Sequence, residues 1–283
     1  MPMMLRSAVA RMLMLTFLAV SPLFAPALSS AGNEPEVYGA VESFTWREYG
    51  DTGQLLKESG PRYAVGFTNV HEFANHLTLK PRIEIFGGNV DYNGQACDVF
   101  GNCLPSSTTT HYFGTKLEID MGYRRGRPNA FTVEPFLGLG LRYWSRSIDD
   151  SVLADGTLAV GYTENWSTVY ARLGLRAEHS LSQKNRLFLE VGAKLPIDTS
   201  NYINDANVSY SAITLHPVGE PSLFAEAGVK LSMFKISAYY DSMRFKQSET
   251  VYQYDPYFGA IIEYWQPKSD SEMIGIRAGV AFY

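Results

Sequence analysis

Two octapeptides carry the charges that come nearest to an acid–base pair. FLEVGAKL, residues 188–195, holds Glu190 and Lys194, and FAEAGVKL, residues 224–231, holds Glu226 and Lys230. A carboxyl and an ammonium held together in a cleft can share proton transfer, provided each is fixed within hydrogen-bond reach of its target. The chain has five histidines, His71, His76, His111, His179 and His216. His216, in ITLHPVGE, has Asp198, Asp205 and Glu220 nearby in sequence, but no spacing fixes one of them as its partner. DGTLAVGYTEN, residues 155–165, contains acids without the alternate-position oxygens of a calcium loop, and no cofactor is expected. Cys97 and Cys103, in CDVFGNC, read as a disulfide closing a loop tip in an exported chain. The alternative, a C-x5-C metal pair, lacks companion ligands.

The elements that must position these groups are strands. In FTVEPFLGLGLRYWSR, Phe131, Val133, Pro135, Leu137, Leu139, Leu141 and Tyr143 fall on one face. Glu134, Phe136, Gly138, Gly140, Arg142, Trp144 and Arg146 fall on the other. TKLEIDMGY, VYARLGLRAE and MIGIRAGVAFY repeat the split, the last with Ile276 on its apolar face and Arg277 opposite. From Val37 onward roughly ten such segments follow one another. Short links (HEFANH, RRGRPN, SLSQKN, SMFK) alternate with long ones at 50–62, 89–109, 147–163, 197–221 and 246–272. The fold class expected is all-β: a closed antiparallel transmembrane β-barrel with short turns at one end and long loops at the other. A soluble barrel or sandwich with its apolar face inward would show the same alternation. Strand length, one-sided loop lengths and aromatics at segment ends (Tyr63, Tyr123, Phe131, Tyr143, Tyr240) favour the membrane.

Residues 1–31 have a basic start, an apolar stretch and small residues before Ala31, the pattern of a cleaved signal peptide, with Ala27 the alternative cleavage point. The barrel domain is then 32–283. A net charge of −5 gives no electrostatic case for nucleic acid.

On these features the chain resembles the small transmembrane β-barrel proteins of the Gram-negative outer membrane. The resemblance rests on pattern over the whole mature chain, on the leader, and on the aromatic ending GVAFY. It implies a cell outer membrane location, short periplasmic turns and long extracellular loops. It also implies contact with outer-membrane lipid and lipopolysaccharide, and engagement of the barrel assembly machinery through the C-terminal strand. One departure is that Phe282 falls on the lipid-facing phase and Tyr283 on the other. The strand count is similar to that of the omptin proteases, whose site pairs Asp residues with an Asp-x-His element. No histidine here lies in such a sequence, and no catalytic residue is assigned. His71, His76 and His179 border short turns, which leaves His111 and His216 toward the outside.

If the aliphatic face, including Leu137, Leu139, Leu189, Val191, Val229 and Ile276, meets lipid, the charges line the lumen. Acids such as Glu134, Glu190 and Glu226 are interleaved with Arg142, Arg172, Arg176, Lys194 and Lys230. About ten strands enclose little more than side chains, so paired charges should plug the lumen. The function expected is structural or surface contact, with an unknown surface ligand. A narrow porin-like channel is the alternative, and an omptin-like hydrolase the second. Tyr252, Tyr254, Tyr257, Phe258, Tyr264 and Trp265 are candidates for the contact surface, or for a hairpin extending the strands. The two octapeptides, on consecutive antiparallel strands, suggest a register with Glu190 opposite Lys230, Gly192 opposite Gly228 and Lys194 opposite Glu226. The same register sets Leu189 opposite Leu231 and Val191 opposite Val229.

Overall fold

A strand with one apolar and one charged face needs two different surroundings, and the chain supplies both by closing on itself. The computed structural model describes residues 32–283 except 52, 98–101, 128, 206, 207, 210, 257, 258 and 283. The expected leader, Tyr257, Phe258 and Tyr283 therefore lie outside the described residues. Ten strands form the wall. They are β1 (Gly32–Gly50), β2 (Gly53–Glu72), β3 (Leu77–Cys97), β4 (Cys103–Tyr123) and β5 (Phe131–Ile148). Then follow β6 (Thr163–Ser180), β7 (Asn185–Ile203), β8 (Ser222–Leu231), β9 (Phe234–Ser248) and β10 (Lys268–Ala281). Each is antiparallel to its neighbour in sequence, and β10 returns to β1 from Glu36 opposite Ala281 to Tyr49 opposite Lys268. Closure removes the open edge, so the wall can meet lipid without unpaired backbone groups.

The apolar face points outward. Leu137, Leu139, Leu189, Val191 and Ile276 are exposed, and Val229 is half-buried. On β5 the outward belt runs from Phe131 to Tyr143, a height of about 30 Å at about 3.3 Å per residue and a 40° tilt. Tyr63 and Phe113 mark its upper edge, while Phe73, Tyr123, Phe234 and Phe282 mark its lower edge.

The strands do not stop at the belt, which corrects the expected long loops. Residues 50–62 are almost wholly strand, with Gly50 opposite Gly53, and residues 89–109 pair up to Cys97 opposite Cys103, which form a disulfide. Above the belt both faces carry polar residues, so the alternation fades while the backbone ladder continues. The stretch 246–272 does leave the wall, as a separate ribbon of Val251–Asp255 paired with Ala260–Tyr264. At the other end the links are tight, and Ser232 takes a positive φ (54°) between β8 and β9.

The register of β7 and β8 differs from the one the octapeptides suggest. Glu190 lies opposite Glu226, Lys194 opposite Ser222, Lys230 opposite Arg186 and Gly192 opposite Phe224. On the outward face Leu189 meets Ala227 and Val191 meets Ala225. The physical reason is aromatic seating. The Phe224 ring lies over Gly192, where an added Cβ would fall under 3.0 Å from it. Five other directly opposed pairs do the same: Tyr38 on Gly66, Phe86 on Gly114, Phe136 on Gly174, Tyr170 on Gly140 and Tyr239 on Gly275. Ring-on-glycine contact outranks direct charge pairing because lumen charges can reach partners on other strands, whereas a ring can cover only its neighbour. Cysteines substituted at Leu189 and Ala227 should therefore crosslink in intact outer membranes, and cysteines at Leu189 and Leu231 should not. The reverse outcome on a non-reducing gel would restore the charge-paired register.

Candidate functional site: the filled lumen and its outer plug

The inward phase of each strand brings charged and aromatic side chains to the axis, where they form stacked layers. At the periplasmic end Lys230 Nζ donates to Glu178 (2.7 Å) and Glu34 (3.1 Å), and Arg124 binds Glu72 (2.7 Å) and Glu134 (3.0 Å). Above them Arg172 reaches Glu118 at 2.6 Å, Asp120 at 3.2 Å and Glu190 at 3.1 Å. Glu190 also accepts from Lys80 (2.6 Å) and Arg176 (2.9 Å), which is how it tolerates Glu226 opposite. Glu226 has its own cations, Arg277 at 2.6 Å and Lys235 at 3.2 Å, and Lys194 pairs with Asp241. Aromatic faces cover these guanidinium groups: Arg176 lies 3.9 Å from the Phe136 centroid, Arg172 4.6 Å from Phe224, and Arg277 between Tyr38 and Tyr239.

Two of the sequence's lumen residues part company. Glu134 pairs with Arg176 (2.6 Å) and Arg124, whereas Arg142 has no carboxylate within ion-pair distance among the described residues. Arg142 sits opposite Lys116, lies 4.8 Å from the Phe86 centroid, and donates to Met273 Sδ at 3.2 Å. The space left by this packing is small. A cavity of about 50 Å³ lies among Glu36, Lys80, Glu134, Arg176 and Lys230, and one of about 20 Å³ among Arg82, Arg172, Lys194 and Glu226. These have room for a few waters, at roughly 10–15 Å³ each.

The outermost layer lies above the belt: on β5 it begins one residue past outward Tyr143, and on β1 it lies level with outward Arg47 and Tyr49. Three of the four tryptophans, Trp46, Trp144 and Trp166, converge there with Phe245 and Met243. Trp144 and Trp166 stack at 5.3 Å, and Trp46 meets Trp166 edge-on at 5.2 Å. Arg146 lies fully buried among three buried carboxylates: Glu58 at 2.7 Å, Glu164 at 2.9 Å and Glu48 at 3.2 Å. The indole N–H of Trp46 donates to Glu48 (2.9 Å) and that of Trp166 to Glu164 (2.8 Å), while Tyr112 and Thr110 hydroxyls donate to Glu58. Alternation alone sets Arg146 on the polar face and does not reveal its partners. Glu58 fell in an expected loop and Glu164 just past another. The available signal was phase, since Trp46 with Glu48 and Glu164 with Trp166 continue the inward series.

The histidines lie where turn lengths put them, with His71, His76 and His179 at the periplasmic end. His111 faces outward just above Phe113, with Nδ1 at 2.8 Å from Asn89 Oδ1 and Nε2 at 2.9 Å from Asp149 Oδ2. His216 is exposed, its Nδ1 at 3.2 Å from the Thr199 carbonyl oxygen.

No family model matches this chain, and no curated protein matches it. Among solved structures, the outer membrane protease OmpT of Escherichia coli superposes with a TM-score of 0.61 at 10% identity, covering 92% of this chain and 99% of that one. The chain folds as an outer-membrane β-barrel. Other outer-membrane barrels match less well. The COG4313 outer membrane channel of Pseudomonas putida F1 reaches 0.39 at 12% identity, over 91% of this chain and 99% of that one. The translocator domain of the autotransporter NalP of Neisseria meningitidis reaches 0.37 at 13%, over 98% and 97%. As an outer-membrane barrel, this chain exposes its aliphatic belt to lipid and keeps its charges within the wall.

Proposed function

We propose that this outer-membrane barrel is a closed anchor, without a conducting lumen or catalytic activity, that presents an extracellular β-surface for contact. The observation that carries the reading is the web of buried ion pairs and rings that crosses the lumen, with two cavities of about 50 and 20 Å³ lying among the paired charges. Desolvated charges held by several partners cannot swing aside at low cost, because each departure strands a buried carboxylate or cation. The contact surface is the ribbon above β9 and β10, where Tyr252, Tyr254 and Ile261 are exposed on one face and Trp265 follows. Such amphipathic rings lose little conformational entropy on binding. The protease among the similar structures lends the fold alone, and in this reading the pairing of His111 with Asp149 and Asn89 is a surface contact. Outer-leaflet lipopolysaccharide and the assembly machinery, met through β10, are the partners this reading expects.

Purified protein in planar lipid bilayers should show no steady conductance level at neutral pH. A reproducible single-channel step abolished by substituting Arg172 or Arg277 would overturn the closed-lumen reading in favour of a narrow channel.

A further inference from the structure

The outer plug differs from the layers beneath it in charge balance. Below, carboxylates and cations are interleaved in nearly equal number. In the plug, Glu48, Glu58 and Glu164 share one guanidinium, and all four side chains are at most 8% exposed. Fully ionised, the cluster would hold two net negative charges out of water, a state that buried sites avoid by taking up protons. From this geometry we propose that the plug is a proton-held closure: the external mouth stays shut while one of the three carboxyls around Arg146 carries a proton, and loosens when that proton leaves.

Glu48 is the group that gives up the proton. The titratable groups facing it come from every side: Arg146 on β5, Glu58 on β2, Glu164 on β6, Tyr92 on β3, and Tyr162 just before β6, with the Trp46 indole on its own strand. Burial is the largest influence and pushes its carboxyl up to about 7, with Glu164 and Glu58 adding to the rise and Arg146 and the Trp46 indole opposing it. The folded value therefore lies above the usual carboxylate range. The closure's stability is complete in acid and is lost as pH rises through about 7. Glu48 also sits where the wall can yield, because the register between β1 and β2 slips between Glu48 and Tyr49. Relief of the repulsion requires water between the tryptophan rings, which makes those rings the reporters.

This inference rests on the closed-lumen reading, and one experiment separates the two. The Trp265→Phe variant, which removes the exposed indole, is reconstituted in liposomes, and acrylamide quenching of tryptophan fluorescence is followed from about pH 5 to about pH 9. The result expected is a severalfold rise in quenching with a midpoint near neutrality, absent in Trp265→Phe/Glu48→Gln, which stays protected throughout. Should Glu48→Gln fail to reach the heat-modifiable folded form, Glu164→Gln serves, with the midpoint shifted downward because a charge that raises the Glu48 carboxyl is gone. Quenching that stays flat in the parent variant, or a step that persists unchanged in both Gln variants, would overturn the proton-held closure. Steady bilayer conductance at about pH 5 would instead overturn the closed lumen, whatever the quenching shows.

Discussion

Replacing Arg146 with Leu will destabilise the folded barrel by about 3–5 kcal/mol, because it strands three buried carboxylates that share its guanidinium. Lost ion-pair energy is the smaller part of this effect. The larger part is the charge left behind, since the Trp46, Trp166, Tyr112 and Thr110 donors cannot neutralise Glu48, Glu164 and Glu58. Urea titration of the detergent-folded protein, read by heat-modifiable gel mobility, measures the loss. Adding Glu58→Gln and Glu164→Gln to Arg146→Leu should recover much of it, since those substitutions remove two of the three stranded charges. A loss that remains undiminished in the triple variant would mean that Arg146 acts by packing against Trp46, whose centroid lies 5.8 Å away, and not by charge.

The second large effect is a contrast between two arginines that the sequence treats alike. Arg172→Met should cost about 3–5 kcal/mol, because Arg172 is shared by Glu118, Asp120 and Glu190 and its removal unbalances all three. Arg142→Met should cost under about 1 kcal/mol, or stabilise, because it trades a buried cation that makes no direct ion pair among the described residues for an apolar chain of similar length. It also removes a charge set directly opposite Lys116. The two variants, unfolded side by side, should differ severalfold in midpoint displacement. Equal losses would show that lumen charge is spread evenly and that individual pairing matters little.

The architecture is legible in the alternation because the membrane imposes it: between Phe131 and Tyr143 the outward residues are apolar and the inward ones are charged, aromatic, hydroxyl or glycine. Above the belt water bathes the outside, so Ser145, Ser147, Asn165 and Ser167 carry the outward phase and the strand loses its hydrophobic signature. That is why residues 50–62 read as a loop and why the Glu58 and Glu164 partners of Arg146 escaped notice. The register of β7 and β8 was illegible for a different reason. Two similar octapeptides offer several charge-complementary alignments, and the deciding contact, Phe224 over Gly192, involves residues whose roles emerge only when the strands are adjacent. Lys194 shows the limit of reading pairs along the chain, since its carboxylate partner is Asp241, two strands away.

The six ring-on-glycine seats share a property of placement. Each joins two strands linked by an external connection: β1 with β2, β3 with β4, β5 with β6, β7 with β8, and β9 with β10. Each outer hairpin thus carries its own alignment mark inside the membrane, and its loop is relieved of setting register. The external connections can lengthen, shorten or exchange sequence while the staves beneath them keep their alignment. A barrel built this way separates the surface that selection by the outside world can rewrite from the wall that must stay as it is.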